Sequence, residues 1–203
     1  MLPVKQIRII LSGASSVGKT TVARDFLEKE PSFGHIDEIA RAIMEEKNIN
    51  NEDLHESLGT DKRLFLQFQE QILAEQYRHE LKFDEHLQSY VSDRGLDPLA
   101  YAGDYCSLQA QEALSDSQAA RKLLERYKDA TGQHHATLMV LMYPLKSVQD
   151  DGVRLVQKLE EQLRFTARLR EILKMHAIPF VEMRCTDRQE RIRFLQEIVA
   201  KLH

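Results

Sequence analysis

The sequence predicts an α/β fold: a five-stranded parallel sheet flanked by helices, with a phosphate-binding loop after the first strand. Three observations carry this. Short apolar runs alternate with segments of helical periodicity along the 203 residues, as a parallel sheet with crossover helices requires. Residues 13–20 read Gly-Ala-Ser-Ser-Val-Gly-Lys-Thr, a full match to G-x-x-x-x-G-K-[ST]. That octapeptide lies between an apolar run and an amphipathic segment, the strand–loop–helix setting that gives the pattern its physical meaning.

The first strand is the run Ile7, Ile9, Ile10 and Leu11. In the loop, Gly13 and Gly18 let the backbone curl so that the N–H groups of Gly13, Ala14, Ser15, Ser16, Val17, Gly18, Lys19, Thr20 and Thr21 line a polyphosphate. Residues 21–30 follow as a helix with Val22, Ala23, Phe26 and Leu27 on one side, and its positive end meets the same point. Lys19 would reach the β- and γ-phosphates and the Thr20 hydroxyl would take a Mg²⁺ position. ATP or GTP, with Mg²⁺, is the expected ligand.

Beyond the loop, residues 33–37 read as a weak second strand, and a helix opening at Glu38 turns Ile39, Ala42 and Ile43 inward. Residues 48–60 are polar and read as a loop or a short turn of helix. Residues 61–83 form a long helix with Leu64, Phe68, Ile72, Leu73, Gln76 and Tyr77 along its face. A third strand spans 87–92 and ends at Asp93; helices span 96–102 and 109–130. The most apolar strand, 137–143, should be central. A charged helix covers 152–176, a last strand 178–183 and a closing helix 187–201. The ligand of such a sheet lies at the carboxyl ends of its strands.

Composition narrows the function. With 42% apolar and 30% charged residues, residues 1–203 suit one domain with an adequate core. A net charge of −4 leaves no basic footprint, so nucleic acid is not the expected partner. Cys106 and Cys185 have no C-x-x-C companion, which points to reduced thiols and a cytoplasmic setting. The longest apolar run, 137–144, is too short to span a bilayer, and no secretory segment opens the chain.

Strand ends select the candidate residues. Asp93 would hold Mg²⁺ through water; the competing role is to cap the helix at Leu96. Arg94 would bind an acceptor's carboxylate or phosphate, or hold Asp37 or Glu38 in place. Asp97 reads as a helix cap. Glu38 and Arg41 share one side of a helix start, where an acid would orient an acceptor hydroxyl and where an exposed intrahelical pair is the other reading. Arg154, then Arg164, are the candidate lid cations of residues 145–165, a position that matches the arginine-bearing lid of nucleoside-monophosphate-type kinases; Arg168 and Arg170 read as surface residues. His134 and His135 precede the fourth strand, away from the ligand edge.

Three of these stretches, 13–20, Asp37-Glu38-Ile39-Ala40-Arg41 and Asp150-Asp151-Gly152-Val153-Arg154, resemble the kinase domain of NadR-type ribosylnicotinamide kinases, and residues 176–182 resemble that family's last strand. The stretch 92–101 is similar to a related translocation-defect-type group of AAA-domain P-loop ATPase/kinase-like proteins. The resemblance spans nearly the whole chain. It implies a P-loop NTPase fold of the nucleoside/nucleotide-kinase kind, functional positions at Lys19, Thr20, Glu38, Asp93 and Arg154, and a base-bordering turn at Cys185-Thr186-Asp187. Two departures turn the expectation away from ribosylnicotinamide itself. Asp37 stands where that family has an aromatic residue before the glutamate, and the chain has no tryptophan. The expected activity is therefore transfer of a γ-phosphoryl group to a small nucleoside-like or other hydroxylated metabolite. A nucleotide-dependent switch acting through a protein partner is the alternative.

Overall fold

The centre of the molecule is β1, Gln6–Ser12, in which every residue is buried. The computed structural model describes residues 5–132, 134–145 and 159–202. On one side β1 pairs with β3 (Tyr90–Ser92), and beyond it lies β2 (Gly34–Ile36). On the other side β1 pairs with β4 (His135–Met142), and beyond it lies β5 (Phe180–Met183). All four pairings are parallel and the order is β2-β3-β1-β4-β5. The fold is the expected α/β P-loop NTPase.

Register explains why β1 and β4 dominate. They stay paired from Gln6 opposite His135 to Ser12 opposite Leu141, and β4 buries every residue after His135. Runs buried on both faces are the mark of an inner parallel strand. This order sets the end of β3 beside the end of β1, and the turn after Ser92 beside the loop after Ser12.

The helices are α1 (Lys19–Lys29), α2 (Ile39–Lys47), α3 (Asn51–Thr60), α4 (Lys62–Glu85), α5 (Asp97–Tyr105), α6 (Leu108–Ser115), α7 (Gln118–Lys128), α8 (Leu159–Met175) and α9 (Arg188–Ala200). Several differ from expectation. The polar stretch 48–60 is mostly α3, whose start is fixed by a reciprocal cap: the Asn50 side chain accepts from Asp53 N and the Asp53 side chain from Asn50 N, both at 2.9 Å. Its apolar face is too thin to announce a helix. The single helix expected over 109–130 is broken at Ser117, whose hydroxyl caps α7 by accepting from Ala120 N. β3 starts at Tyr90 because α4 runs on to Glu85 and the chain then turns through Leu87, at φ +49° and exposed. Two inward positions are out of phase by small steps: Ala40 is buried where Ala42 is exposed, and Phe65 where Leu64 is exposed. Among the described residues no helix is long and apolar enough to cross a membrane.

Behind β3 the core contains ions. Glu80 of α4 is fully buried; it accepts from Arg126 Nε at 2.6 Å, from Gln76 Nε2 at 2.8 Å and from the Tyr127 hydroxyl. Arg126 also pairs with Asp84 at 2.6 Å, and Asp84 with Arg8 of β1 at 3.1 Å. Gln76 donates to Ser92 Oγ, and Ser92 Oγ donates to the Arg94 carbonyl. The buried cluster thus pins α4 and α7 to β3 and reaches the turn that leaves it. Removing one member strands the others without water. Glu80→Ala is expected to lower stability by about 3–5 kcal/mol, read as a shift in the urea unfolding midpoint.

Candidate functional site

A loop that turns its N–H groups toward an anion turns carbonyls back into the protein, where each needs a donor. The chain supplies them. Lys19 Nζ donates to Gly13 O and Ala14 O at 2.7 and 2.8 Å. Gln162 Nε2, from α8, donates to Ser15 O at 2.9 Å. Arg191 NH1, from α9, donates to Val17 O at 2.5 Å. Val22 N closes on Gly18 O. The two glycines act differently. Gly18 sits at φ +89°, whereas a Cβ on Gly13 would lie 2.8 Å from Met142 O of β4. Gly18 is also the N-cap of α1 and offers no side-chain cap, so the first N–H groups of that helix are left for an external acceptor.

Thr20 and Asp93 meet across the β1–β3 boundary, the Thr20 hydroxyl donating to Asp93 Oδ2 at 2.5 Å. The other carboxylate oxygen, Oδ1, is buried without a partner. Burial raises the Asp93 pKa, with Glu38 adding to it, against the opposing pull of Lys19, the Thr20 hydrogen bond and Arg94. Burial lowers the Lys19 pKa, and Arg94 adds to that, while Asp97, Asp93 and Glu38 oppose it. Among the described residues no group of three or more His, Cys, Asp or Glu side chains is placed to hold a metal. An orphaned carboxylate oxygen beside a hydroxyl is instead suited to a hydrated hard cation.

Beside this pair stands an ion cluster. Arg94 NH2 donates to Glu38 Oε1, and Arg41 NH2 lies 3.4 Å from Glu38 Oε2. The Arg94 guanidinium carbon sits 5.8 Å from the Tyr101 ring centre, and its buried Nε has no hydrogen-bond partner. Burial opposes the Arg94 charge, yet Tyr101, Glu38 and Asp97 hold its pKa above the ordinary value. Lys19, Thr20, Glu38, Arg41, Asp93 and Arg94 are therefore gathered in one place. Asp37 is not part of the cluster: it is exposed, 3.3 Å from His35 Nδ1, and lines a groove of about 400 Å³ with Arg24, Leu27, Glu28 and His35. Arg164 is exposed on α8 and Thr186 is exposed before α9. Arg154 and most of the expected lid lie outside the described residues.

Other expectations are corrected. Arg168 and Arg170 are half-buried ion-pair partners, of Asp104 and Glu182 respectively, because α8 packs against α5 and β4, next to β5. Asp97 does not cap α5; Leu96 is the N-cap and makes no side-chain cap bond. Asp97 is fully buried and accepts from Ser12 Oγ, Gly13 N and Gly95 N at 3.1, 2.9 and 3.0 Å. Arg191, 2% exposed, also donates to Cys185 O at 2.8 Å and Tyr143 O at 3.0 Å. Sequence reading missed Arg191, Gln162 and this role of Asp97. The acid two residues after Gly95 was the only local signal.

Residues 8–191 match the family described as an AAA domain. The chain belongs to the AAA domain family. No curated protein matches this AAA domain. Among solved structures it is similar to NadR protein in complex with NR, at TM-score 0.69 and 19% identity over 95% of this chain and 51% of that one. NadR protein in complex with NAD and AMP-PNP gives TM-score 0.65 and 17% identity over 95% and 49%. Deoxyadenosine kinase from M. mycoides with bound dCTP gives 0.54 and 12% over 96% and 99%. The AAA domain thus spans about half the length of the NadR chains it resembles. These likenesses establish a P-loop kinase-like fold.

The raised Asp93 pKa has a sign that can be measured. Between the ordinary value of 3.8 and the raised one, the folded chain keeps a proton that the unfolded chain has lost. Stability contributed by this group therefore falls as pH rises through that window. Asp93→Asn, without nucleotide or Mg²⁺, is expected to remove that fall. Urea midpoints of both proteins from about pH 4 to about pH 8 should converge in acid and separate, with the variant more stable, toward neutrality.

Proposed function

We propose that this AAA domain is a Mg²⁺-dependent kinase that moves the γ-phosphoryl group of ATP or GTP to a small hydroxylated acceptor, nucleoside-like compounds first. The observation that carries the proposal is the Thr20–Asp93 pair with its orphaned Oδ1, set between the loop and the Glu38–Arg94 pair. Thr20 and Asp93 would hold Mg²⁺, directly and through water. The ion would supply charge neutralisation at the β- and γ-phosphates.

The chain's own groups do the rest. The loop amides and the uncapped start of α1 bind the phosphates. Lys19, held over the loop by the Gly13 and Ala14 carbonyls, would meet the terminal phosphate charge with its third N–H. Glu38 orients the acceptor hydroxyl, and Arg94 and Arg41 fix its carboxylate from either oxygen. Positioning and charge neutralisation carry most of a phosphoryl transfer, so a carboxylate paired with arginines is adequate for this role. Arg154 and Arg164 would bring lid charge to the phosphoryl oxygens, Thr186 would border the base, and Asp37 would contact an acceptor at its outer end. Two of the similar structures hold nucleotides, AMP-PNP in one and dCTP in another, which supports a nucleotide ligand.

The test is incubation with labelled ATP and GTP against nucleosides, their monophosphates and vitamin precursors. A labelled acceptor is expected. Hydrolysis that no acceptor diverts, and that a protein partner accelerates, would favour the nucleotide switch instead. Lys19→Ala should abolish triphosphate uptake in calorimetry. Glu38→Gln should leave nucleotide affinity near the native value and slow transfer about 100-fold; a collapse of affinity would give Glu38 a different role.

A further inference from the structure

A buried carboxylate must be matched by donors, and Asp97 is matched by an unusual set. Gly13 N, at 2.9 Å on Oδ1, opens the phosphate loop, 84 residues before it in the chain. Gly95 N, at 3.0 Å on Oδ2, belongs to the turn that has just carried Asp93 and Arg94 past the loop. Ser12 Oγ, at 3.1 Å on Oδ2, is the last side chain of β1. One fully buried group therefore grips both walls of the site, the one that holds phosphate and the one that holds the acid and the arginine.

Only an ionised carboxylate does this well. Its two oxygens are acceptors alone, with room for three donors, whereas an asparagine of the same shape turns an NH₂ toward Gly95 N–H or Gly13 N–H. Hydrogen bonds to the charged form are also the stronger kind. The position is not taken up by helix capping, since the N-cap of α5 is Leu96, which makes no side-chain cap bond.

We propose that Asp97 is a positioning residue for the triphosphate: it fixes the loop against the Asp93–Gly95 turn, so that the Thr20–Asp93 pair and the loop amides present one surface to the ligand. The proposal rests on the nucleotide-binding reading of the loop given above. Loss of the clamp lets the loop and the turn move separately, and the binding of polyphosphate suffers before the fold does.

The experiment compares the native chain with Asp97→Asn by calorimetric titration of Mg-ATP, Mg-GTP and inorganic tripolyphosphate, well below the unfolding temperature of either protein. The folded variant is expected to bind all three about 10- to 100-fold more weakly, the equivalent of one lost charge-assisted hydrogen bond. In ¹⁵N-labelled protein the amide protons of both Gly13 and Gly95 should move upfield together. A carboxylate that only stabilises the fold would lower the melting temperature and leave affinity and tripolyphosphate uptake at native values; that result overturns the proposal. Should Asp97→Asn fail to fold, Ser12→Ala removes one donor and keeps the charge. It is expected to weaken all three ligands about 2- to 10-fold, and native affinity in that variant overturns the proposal as well. A native chain that takes up none of the three ligands removes the underlying nucleotide reading, and the positioning role with it.

Discussion

The loop between β1 and α1 must satisfy its own carbonyls before it can offer its amides to anything else. Three helices share that task. Lys19 at the start of α1 covers Gly13 and Ala14, Gln162 of α8 covers Ser15, and Arg191 of α9 covers Val17. The rest of the fold reads as a consequence. β1 is central because the loop must be approached from both sides, α8 and α9 return to it from beyond β4 and β5, and the turn after β3 closes the remaining flank. A buried hydrogen-bonding group left alone is costly, so the stability of the loop depends on the helices around it.

Two groups of buried charge occupy the β3 side of the sheet, and they are finished differently. In the cluster behind β3, both carboxylate oxygens of Glu80 are engaged, one by Gln76 and Tyr127 and the other by Arg126. At the strand ends, Asp93 Oδ1 and Arg94 Nε are buried and unmatched. Glu80 thus has neither oxygen unmatched, whereas the strand-end pair keeps buried hydrogen-bonding capacity unused, an exception among buried polar groups. Ser92 lies between the two, tied to Gln76 on one side and to the Arg94 carbonyl on the other.

Much of this was legible in the chain because its signals are local. The strand order of apolar runs, the octapeptide at 13–20 and the acid closing β3 are each read from a few adjacent residues, and the structure has the five parallel strands they imply. What escaped depended on contacts that adjacent residues do not encode. α3 is held by two side-chain-to-backbone bonds of Asn50 and Asp53 rather than by an apolar face, and the break at Ser117 is a cap hidden inside a continuous helical pattern. The same holds at the site. Glu38, Asp93 and Arg94 announced themselves by lying at strand ends, but Gln162 and Arg191 look like ordinary polar members of charged helices until those helices are packed. Asp97 looked like a cap because aspartate at a helix start usually is one.

The bond from Arg191 to Val17 joins residues 174 apart, and that distance has a consequence for how the protein comes into being. Chains emerge from the ribosome amino end first, so the loop is made before the helix that braces it. Until α9 is made, the Val17 carbonyl lacks its Arg191 donor. The loop of the nascent chain therefore stays unbraced at Val17 until α9 has cleared the exit tunnel.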